Sequence, residues 1–479
     1  MLLLVLAFFS IFFRLGGAPM QRWDEARLAL NAAELLENKQ WLVTTYHNQP
    51  DLWNTKPPLM IWLQALSMRA LGYSELAVRL PAALAALATV LLVFFASSRP
   101  TRIPLVGWLA AVILLSSPGF VTLHVARTGD YDALLVLWTT LGLLAFYHYF
   151  TTESKRALWL TGAAFTLAVL TKGVAGLLGL PALAIAAASS GQLRPLLRQR
   201  SFWLVMACST LAVGSYYVAR ELAAPGYLQA VWENELGGRA LHDLEAHHES
   251  LVWYWNLVAE KKFSCWLALA VVGLLLSLRQ PKSTPEHRLA LLAGLWSAWY
   301  LVLLSVIQTK LTWYDAPIYP ALSLIAALGV VLLARAAAAQ FRLPSFKPVW
   351  LVLGSLLLFW GPYSQLMGQL VLAHRQRYSE SGVQFGRYLQ AQREAQPGIT
   401  TYTVLDPTFY NGSMEWYAKV AQTVHGQQVA QRPSDQLAQF TAGETLVICD
   451  GHLRRQLQQQ RHVQVLWQLD SCATLRILP

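Results

Sequence analysis

LPAALAALATVLLVFFASS, residues 80–98, contains no charged side chain and is as long as the ~20 residues a helix needs to cross a hydrocarbon layer of ~30 Å. Comparable runs recur at 103–123, 133–152, 157–171, 173–190, 201–219, 264–278, 289–308, 316–334 and 348–373. An eleventh, Met1 to Phe13, is shorter and has no basic segment ahead of it, so it reads as a retained span and not as a signal peptide. The expected fold class is therefore an α-helical polytopic membrane protein with about 11 transmembrane helices. The composition agrees, since 55% hydrophobic and 13% charged residues are too apolar a mixture for a soluble chain of 479 residues.

Basic residues set the orientation. The short connections carry Arg99 and Arg102, Lys155 and Arg156, Arg194, Arg198 and Arg200, Arg279, Lys282 and Arg288, and Arg335, Arg342 and Lys347, against only Glu153 and Glu286. Short connections with this bias stay cytoplasmic. The N-terminus is then expected inside and the C-terminus outside, and the +11 formal charge reports topology, with no nucleic-acid partner expected.

The remaining connections face outward and hold the polar motifs. Residues 17–74 form a first outer loop in which 25–38 and 59–71 have the apolar spacing of two helices lying in the membrane interface, joined by a Trp- and Pro-rich stretch. Residues 220–263 form a second outer loop. From residue 375 the chain turns polar and reads as a small soluble α/β domain, with helices near 378–394 and 411–421 and strands at 400–405, 445–449, 463–469 and 474–478. Residues 1–374 make the transmembrane domain and 375–479 the outer one. Cys449 and Cys472 form a candidate pair if that compartment is oxidising.

Several outward groups could carry chemistry. Asp24 and Glu25, adjacent at the start of the first interfacial helix, read either as helix-terminus acids or as a carboxylate poised for general-base work. Asp132, with Asp130 before it and Arg127 behind, reads as a partner carboxylate or as part of an interfacial ion pair. Lys56, Lys172 and Lys310 sit at outer ends of apolar runs, against the orientation rule, and suit either a lipid phosphate or plain snorkelling. His247, His248 and Glu249 offer the one local set for a divalent metal ion, and equally a headgroup contact.

In order along the chain, Asp24-Glu25-Ala26-Arg27, Lys56-Pro57-Pro58, Ala126-Arg127-Thr128 running to Asp132, Thr171-Lys172-Gly173, the His-rich outer loop before Trp253-Tyr254-Trp255, and Lys310-Leu311 with Tyr314 ahead of Tyr319-Pro320-Ala321 form a set. Together they resemble the C-superfamily of integral-membrane glycosyltransferases, in the branch of aminoarabinose transferases and protein O-mannosyltransferases. The sequence departs from that pattern at Leu28, where an aromatic is usual, and at Thr55, where a Glu usually precedes Lys-Pro-Pro. The resemblance implies an inverting transfer, in a bacterial inner membrane, from a polyprenyl-phosphate-linked sugar to a lipid, glycan or protein acceptor on the periplasmic face. In that frame Asp24, with Glu25 beside it, is the base or orienting carboxylate and Asp132 its partner. Lys56, Lys172 and Lys310 bind the donor phosphate, Arg127 holds Asp132, and Arg27, His247, His248 and Tyr314 meet an acceptor or headgroup. A lipid-linked oligosaccharide polymerase or ligase shares the span count without the Asp-Glu and Lys-Pro-Pro elements. A flippase would place charges within its spans.

Overall fold

A computed structural model describes residues 1–98, 104–122, 124–237, 249–341, 348–377, 381–406, 410–433 and 439–479. Six of its helices are long and apolar enough to cross a membrane: Glu75–Ala96, Asp132–Thr152, Lys155–Leu177, Arg200–Ala223, Pro285–Val306 and Ala316–Gln340. Trp253–Lys262 and Ser264–Leu278, bent by 110° at their junction, add a seventh if taken as one span. The expected count of eleven included runs that the backbone breaks. Within 103–123 the helix Pro104–Leu115 stops and Pro118 opens a separate short helix, Pro118–Val121, because proline has no N–H to continue the ladder. At the 171–173 hinge, Gly173 takes φ +58°, ψ −136°, a backbone state that glycine alone enters freely, and a 3-10 turn leads into Leu180–Ser189. Arg99, Arg102, Arg342 and Lys347 lie outside the described residues.

The bundle closes by near backbone contact where small residues meet. A Cβ on Gly273 would lie 2.1 Å from the Ile325 carbonyl oxygen, and one on Gly329 would lie 2.4 Å from that of Leu269. The helices Ser264–Leu278 and Tyr319–Gln340 therefore cross glycine against glycine, the packing that substitutes for a hydrophobic drive inside lipid.

The first loop forms the two expected helices, Asp24–Asn38 and Leu59–Leu71. The first of them is not amphipathic in use, because Glu25 to Leu35 are all buried. Its polar face is covered by its own loop: Arg27 donates to both Asp51 carboxylate oxygens at 2.8 Å, and Asn31 donates to Asp51 at 3.0 Å and accepts from Asn54 at 2.9 Å. A small hairpin, Thr45–Tyr46 against Gln49–Pro50, turns on His47 and Asn48, both left-handed.

The C-terminal residues build a five-stranded sheet in the order Gln428–Pro433, Thr401–Asp406, Thr445–Ile448, Cys472–Ile477, Val463–Leu469. The first three strands are parallel and the last two antiparallel to their neighbours. Helices Ser381–Ala395, Gly412–His425 and Gly451–Gln460 accompany the sheet. Asn411 caps the second helix by accepting from the Met414 amide, the turn-into-helix role its Asn-Gly-Ser sequence suggests. Cys449 and Cys472 are disulfide-bonded. The edge strand Gln428–Pro433 gave no strand signal in sequence, since it is polar and ends on a proline, both features of a sheet edge. Helix Gly412–His425 packs on Asp24–Asn38, tied by Lys419 to Glu37 at 2.5 Å, and its Tyr417 hydroxyl donates at 2.6 Å to Glu75, at the start of the helix Glu75–Ser98. Just before it, the Tyr410 carbonyl accepts from Arg22 at 2.9 and 3.2 Å.

Candidate functional site

Adjacent residues on a helix point about 100° apart, so Asp24 and Glu25 cannot share an environment. Glu25 turns inward, is completely buried, and meets Arg79 from the start of the next apolar helix at 2.6 and 2.9 Å. Arg79 spends its other protons on the carbonyls of Leu15, Ala18 and Pro19, while Glu25 also accepts from the amides of Gln21 and Gly129. Burial alone would raise the Glu25 pKa, but the Arg79 charge and these hydrogen bonds outweigh it and hold the carboxyl below its usual range. Glu25 is thus a pin joining the chain around residues 15–25 to the loop at 129, closed to any substrate. The catalytic reading of Glu25 is corrected accordingly.

Asp24 turns the other way, into a cavity it shares with Lys56, Asp130, Tyr131, Asp132, Lys172, Leu311, Trp313 and Tyr314. Asp130 is 2% exposed, and among the described residues its oxygens accept no well-formed hydrogen bond, although the Thr128 hydroxyl stands close enough to lower its pKa. Burial, then repulsion from Glu25 and Asp24, pushes its pKa well above the carboxylate range. His124 lies 3.4 Å from it, held in a left-handed turn by the Thr128 hydroxyl and stacked on Trp313 at 3.5 Å. One donor atom from each of Asp24, His124 and Asp130 falls within 4.8 Å of the others. Two carboxylates and an imidazole suit a divalent cation, and the buried carboxylate of Asp130, with no cationic Lys or Arg paired to it among the described residues, fits one. This set differs from the one read in sequence: Glu249 is exposed, and His247 and His248 lie outside the described residues.

The cations come from two further elements. Lys172, the last residue of its helix, reaches Asp132 at 2.6 Å and lies 5.4 Å from the centre of the Tyr314 ring. Lys56 lies 3.2 Å from Glu235 and 5.7 Å from the Tyr131 ring centre. The Thr55 hydroxyl also donates to Glu235, at 3.1 Å, and the Tyr227 hydroxyl donates to the Thr55 carbonyl at 2.7 Å. A carboxylate from the second loop therefore stands beside Thr55, where the related pattern carries its own Glu. Nothing in the local sequence signalled that pairing across 180 residues.

Other expected site residues have different employment. Arg127 donates to the carbonyls of Ser10, Ile11 and Phe13 at the end of the first apolar helix, and it is Lys172 that meets Asp132. Arg27 is buried in its two-pronged bond to Asp51, with its guanidinium 3.3 Å from the Tyr46 ring centre, so it is a scaffold group and not a headgroup contact. Lys310 is buried and donates to the Ile307 carbonyl; its neighbours Leu311, Trp313 and Tyr314 line the cavity. Sequence reading passed over His124, Glu235 and Arg79. Only Arg79, a charge at the very start of an apolar run, carried a signal that a buried partner exists.

Residues 55–217 match the family of dolichyl-phosphate-mannose-protein mannosyltransferases. The undecaprenyl phosphate-alpha-4-amino-4-deoxy-L-arabinose arabinosyl transferase of Shewanella sediminis is 26% identical over 68% of this chain and 58% of its own length. That of Pectobacterium carotovorum is 29% identical over 69% and 59%. The matched stretch thus spans under two thirds of these relatives. Among solved structures, ArnT from Cupriavidus metallidurans bound to undecaprenyl phosphate superposes with a TM-score of 0.74 at 17% identity, covering 99% of this chain and 96% of that one. The oligosaccharyltransferase of Archaeoglobus fulgidus gives 0.52 at 12% identity, over 90% and 64%. The chain has the fold of the C-superfamily of integral-membrane glycosyltransferases, and its likeness is to the aminoarabinose transferase branch.

Proposed function

We propose that this chain transfers a sugar from a polyprenyl-phosphate carrier to an acceptor on the periplasmic face of a bacterial inner membrane, with inversion. The observation that carries the reading is the single cavity in which Asp24, Asp130 and Asp132 face Lys56 and Lys172. An acceptor oxygen attacks the anomeric carbon, the bond from that carbon to the phosphate oxygen breaks, and the electron pair leaves with the polyprenyl phosphate. A hydroxyl acceptor gives its proton to Asp24; a phosphate acceptor is already ionised, and Asp24 then only orients it. Lys56 and Lys172 stabilise the charge growing on the leaving phosphate. Both are held by carboxylates, Glu235 and Asp132, which an arriving phosphate exchanges for itself. A divalent ion at Asp24, His124 and Asp130 would add positive charge near the acceptor. The donor named in the titles of the similar transferases supports the carrier class.

The test is transfer by purified Asp24→Asn in nanodiscs from a polyprenyl-phosphate sugar. Loss of general-base action alone lowers the rate ~10²- to 10⁴-fold, and turnover near wild type would overturn the assignment. The proposed topology has the N-terminus inside, residues 1–374 in the membrane domain and 375–479 outside. Alkaline phosphatase fused after Arg375 should be active and after Arg200 inactive; the reverse pattern would refute it.

A further inference from the structure

Trp313 and Tyr314 enter the cavity from a turn, residues 309–315, with few bonds of its own. The Tyr314 amide donates to the Leu311 carbonyl at 3.2 Å, and the Ala316 amide to the Trp313 carbonyl at 3.1 Å. A turn bonded this lightly needs its shape imposed from outside, because ordering each residue costs conformational entropy. The grip comes from the returning arm of the second outer loop and from the helix that follows the turn. The buried Tyr254 hydroxyl donates to the Leu311 carbonyl at 2.9 Å. Lys262 donates to the Thr312 carbonyl and, at 2.7 Å, to Asp315 Oδ1, while the Tyr319 hydroxyl donates to Asp315 Oδ2 at 2.6 Å. Asp315 has no exposure, and both of its oxygens are filled. These contacts fall on either side of Trp313-Tyr314.

Tyr254 and Lys262 are eight residues apart, which in a regular α-helix leaves two side chains about 80° out of line. Here Trp253–Asn256 is α-helical but Leu257–Lys262 winds as a π-helix. Bonds from i to i+5 turn the chain less per residue, and that brings both side chains towards one face. The segment then ends at the 110° bend before Ser264. Across the turn, the Tyr319 ring lies flat on Gly119, where a Cβ would come within 2.2 Å of it. What the turn carries is chemical. Trp313 stacks on His124 with the ring planes 9° apart, and His124 faces Asp130. The Tyr314 ring faces Lys172, which meets Asp132. A shift of this one turn therefore moves two of the groups beside the reacting centre, where a misplacement of ~1 Å costs about 10²-fold in rate.

We propose that Tyr254 and Lys262 are positioning residues for transfer: from the second outer loop they fix Leu311, Thr312 and Asp315, and so hold Trp313 against His124 and Tyr314 beside Lys172. Neither lines the cavity, and both act through the turn. The link to catalysis rests on the transferase reading above; the grip on the turn does not. It gives the Trp253-Tyr254-Trp255 and Tyr319-Pro320-Ala321 motifs a shared task, since both supply a hydroxyl to the same turn.

The experiment uses the full chain in nanodiscs with two readouts, hydrogen exchange at the amides of residues 311–316 and donor titrations of sugar transfer. Tyr254→Phe keeps the ring and removes one buried donor. Exchange of the Tyr314 amide should quicken about 5-fold, the weight of a single neutral hydrogen bond, and kcat should fall about 10-fold with the donor KM within about 2-fold. Lys262→Met/Asp315→Asn removes both charges, so that neither is left unpaired in the interior, and should show the same split. Trp255→Phe, at the exposed neighbouring ring, should move neither readout. Adding Tyr254→Phe to Tyr314→Leu should cost less kcat than it does in wild type, because residues that act through one another are not additive. Unchanged exchange in Tyr254→Phe overturns the grip on the turn. Faster exchange with wild-type kcat, a pure KM effect, or full additivity with Tyr314→Leu overturns the positioning role. Should the Lys262 and Asp315 double variant fail to fold, Tyr254→Phe decides alone. Faster exchange in a chain whose wild type transfers no sugar would sink the transferase reading and leave the grip on the turn standing.

Discussion

Glu25→Gln removes one charge from a pair that has no exposure to water on either side. Arg79 would keep its bonds to the Leu15, Ala18 and Pro19 carbonyls but lose its counter-ion, and the glutamine amide group would face it as a donor opposite a donor. Removing one partner of a buried pair costs about 3–5 kcal/mol. Spread over a chain of this size, that lowers the melting temperature by on the order of 3–5 °C. The measurement is thermal aggregation of the detergent-solubilised protein by size-exclusion chromatography, with Asp24→Asn beside it. Asp24→Asn should melt within a degree or two of wild type and lack transfer, while Glu25→Gln should melt early and keep turnover per folded molecule. Glu25→Leu/Arg79→Met should recover part of the loss, because replacing both ions with apolar groups is often close to neutral. A Glu25→Gln protein that melts like wild type yet has lost turnover would refute the division of labour drawn between the two adjacent carboxylates.

Lys172→Met should reduce kcat for transfer more than it raises KM for the donor, since its contact strengthens as the phosphate departs; a pure KM effect would show that it only binds. Adding Asp132→Asn to that variant should restore stability without restoring turnover, as it removes the carboxylate left unpaired in a buried site. For Asp130, whose pKa is raised by burial and its acidic neighbours, the folded protein holds the proton more tightly than the unfolded chain does. Its contribution is therefore full below the ordinary carboxylate pKa and is lost as pH rises towards the raised value. Melting curves of Asp130→Asn should then sit above wild type at neutral pH and fall less steeply between weakly acidic and neutral pH. A variant less stable than wild type at neutral pH would mean that a cation compensates the charge.

The features legible in the sequence are those that depend on local order. Apolar length gave the long helices, and the 3.6-residue spacing gave Asp24–Asn38 and Leu59–Leu71 to within a residue or two. Charges at the ends of apolar runs gave Asp24, Lys56, Asp132 and Lys172, all of which line one cavity. What was illegible depended on which face of an element meets which neighbour. Asp24 and Glu25 are identical in chemistry and adjacent in sequence, and only the position of Arg79 separates a buried pin from a cavity carboxylate. Glu235 reaches Thr55 and Lys56 from a loop whose path no local pattern fixes.

The partner of Asp132 is an intermediate case, because the wrong answer was closer in sequence than the right one. Arg127 lies five residues away, but its chain turns back to cap the end of the first apolar helix. Lys172 lies forty residues away and is the true partner. The reason is geometric. Helices Asp132–Thr152 and Lys155–Lys172 form an antiparallel pair around a tight turn at Glu153, which is left-handed, and Ser154. At 1.5 Å per residue, two arms of similar length return the last residue of the second beside the first residue of the first. Counting outward from Glu153 by the 21 residues that separate it from Asp132 reaches Val174, within two residues of Lys172, without any structure. It also follows that the ion pair is set by helix length: one residue inserted into the first arm would shift Asp132 by about 1.5 Å and swing it by about 100°, taking its carboxylate away from Lys172 and out of the cavity where Asp24 lies.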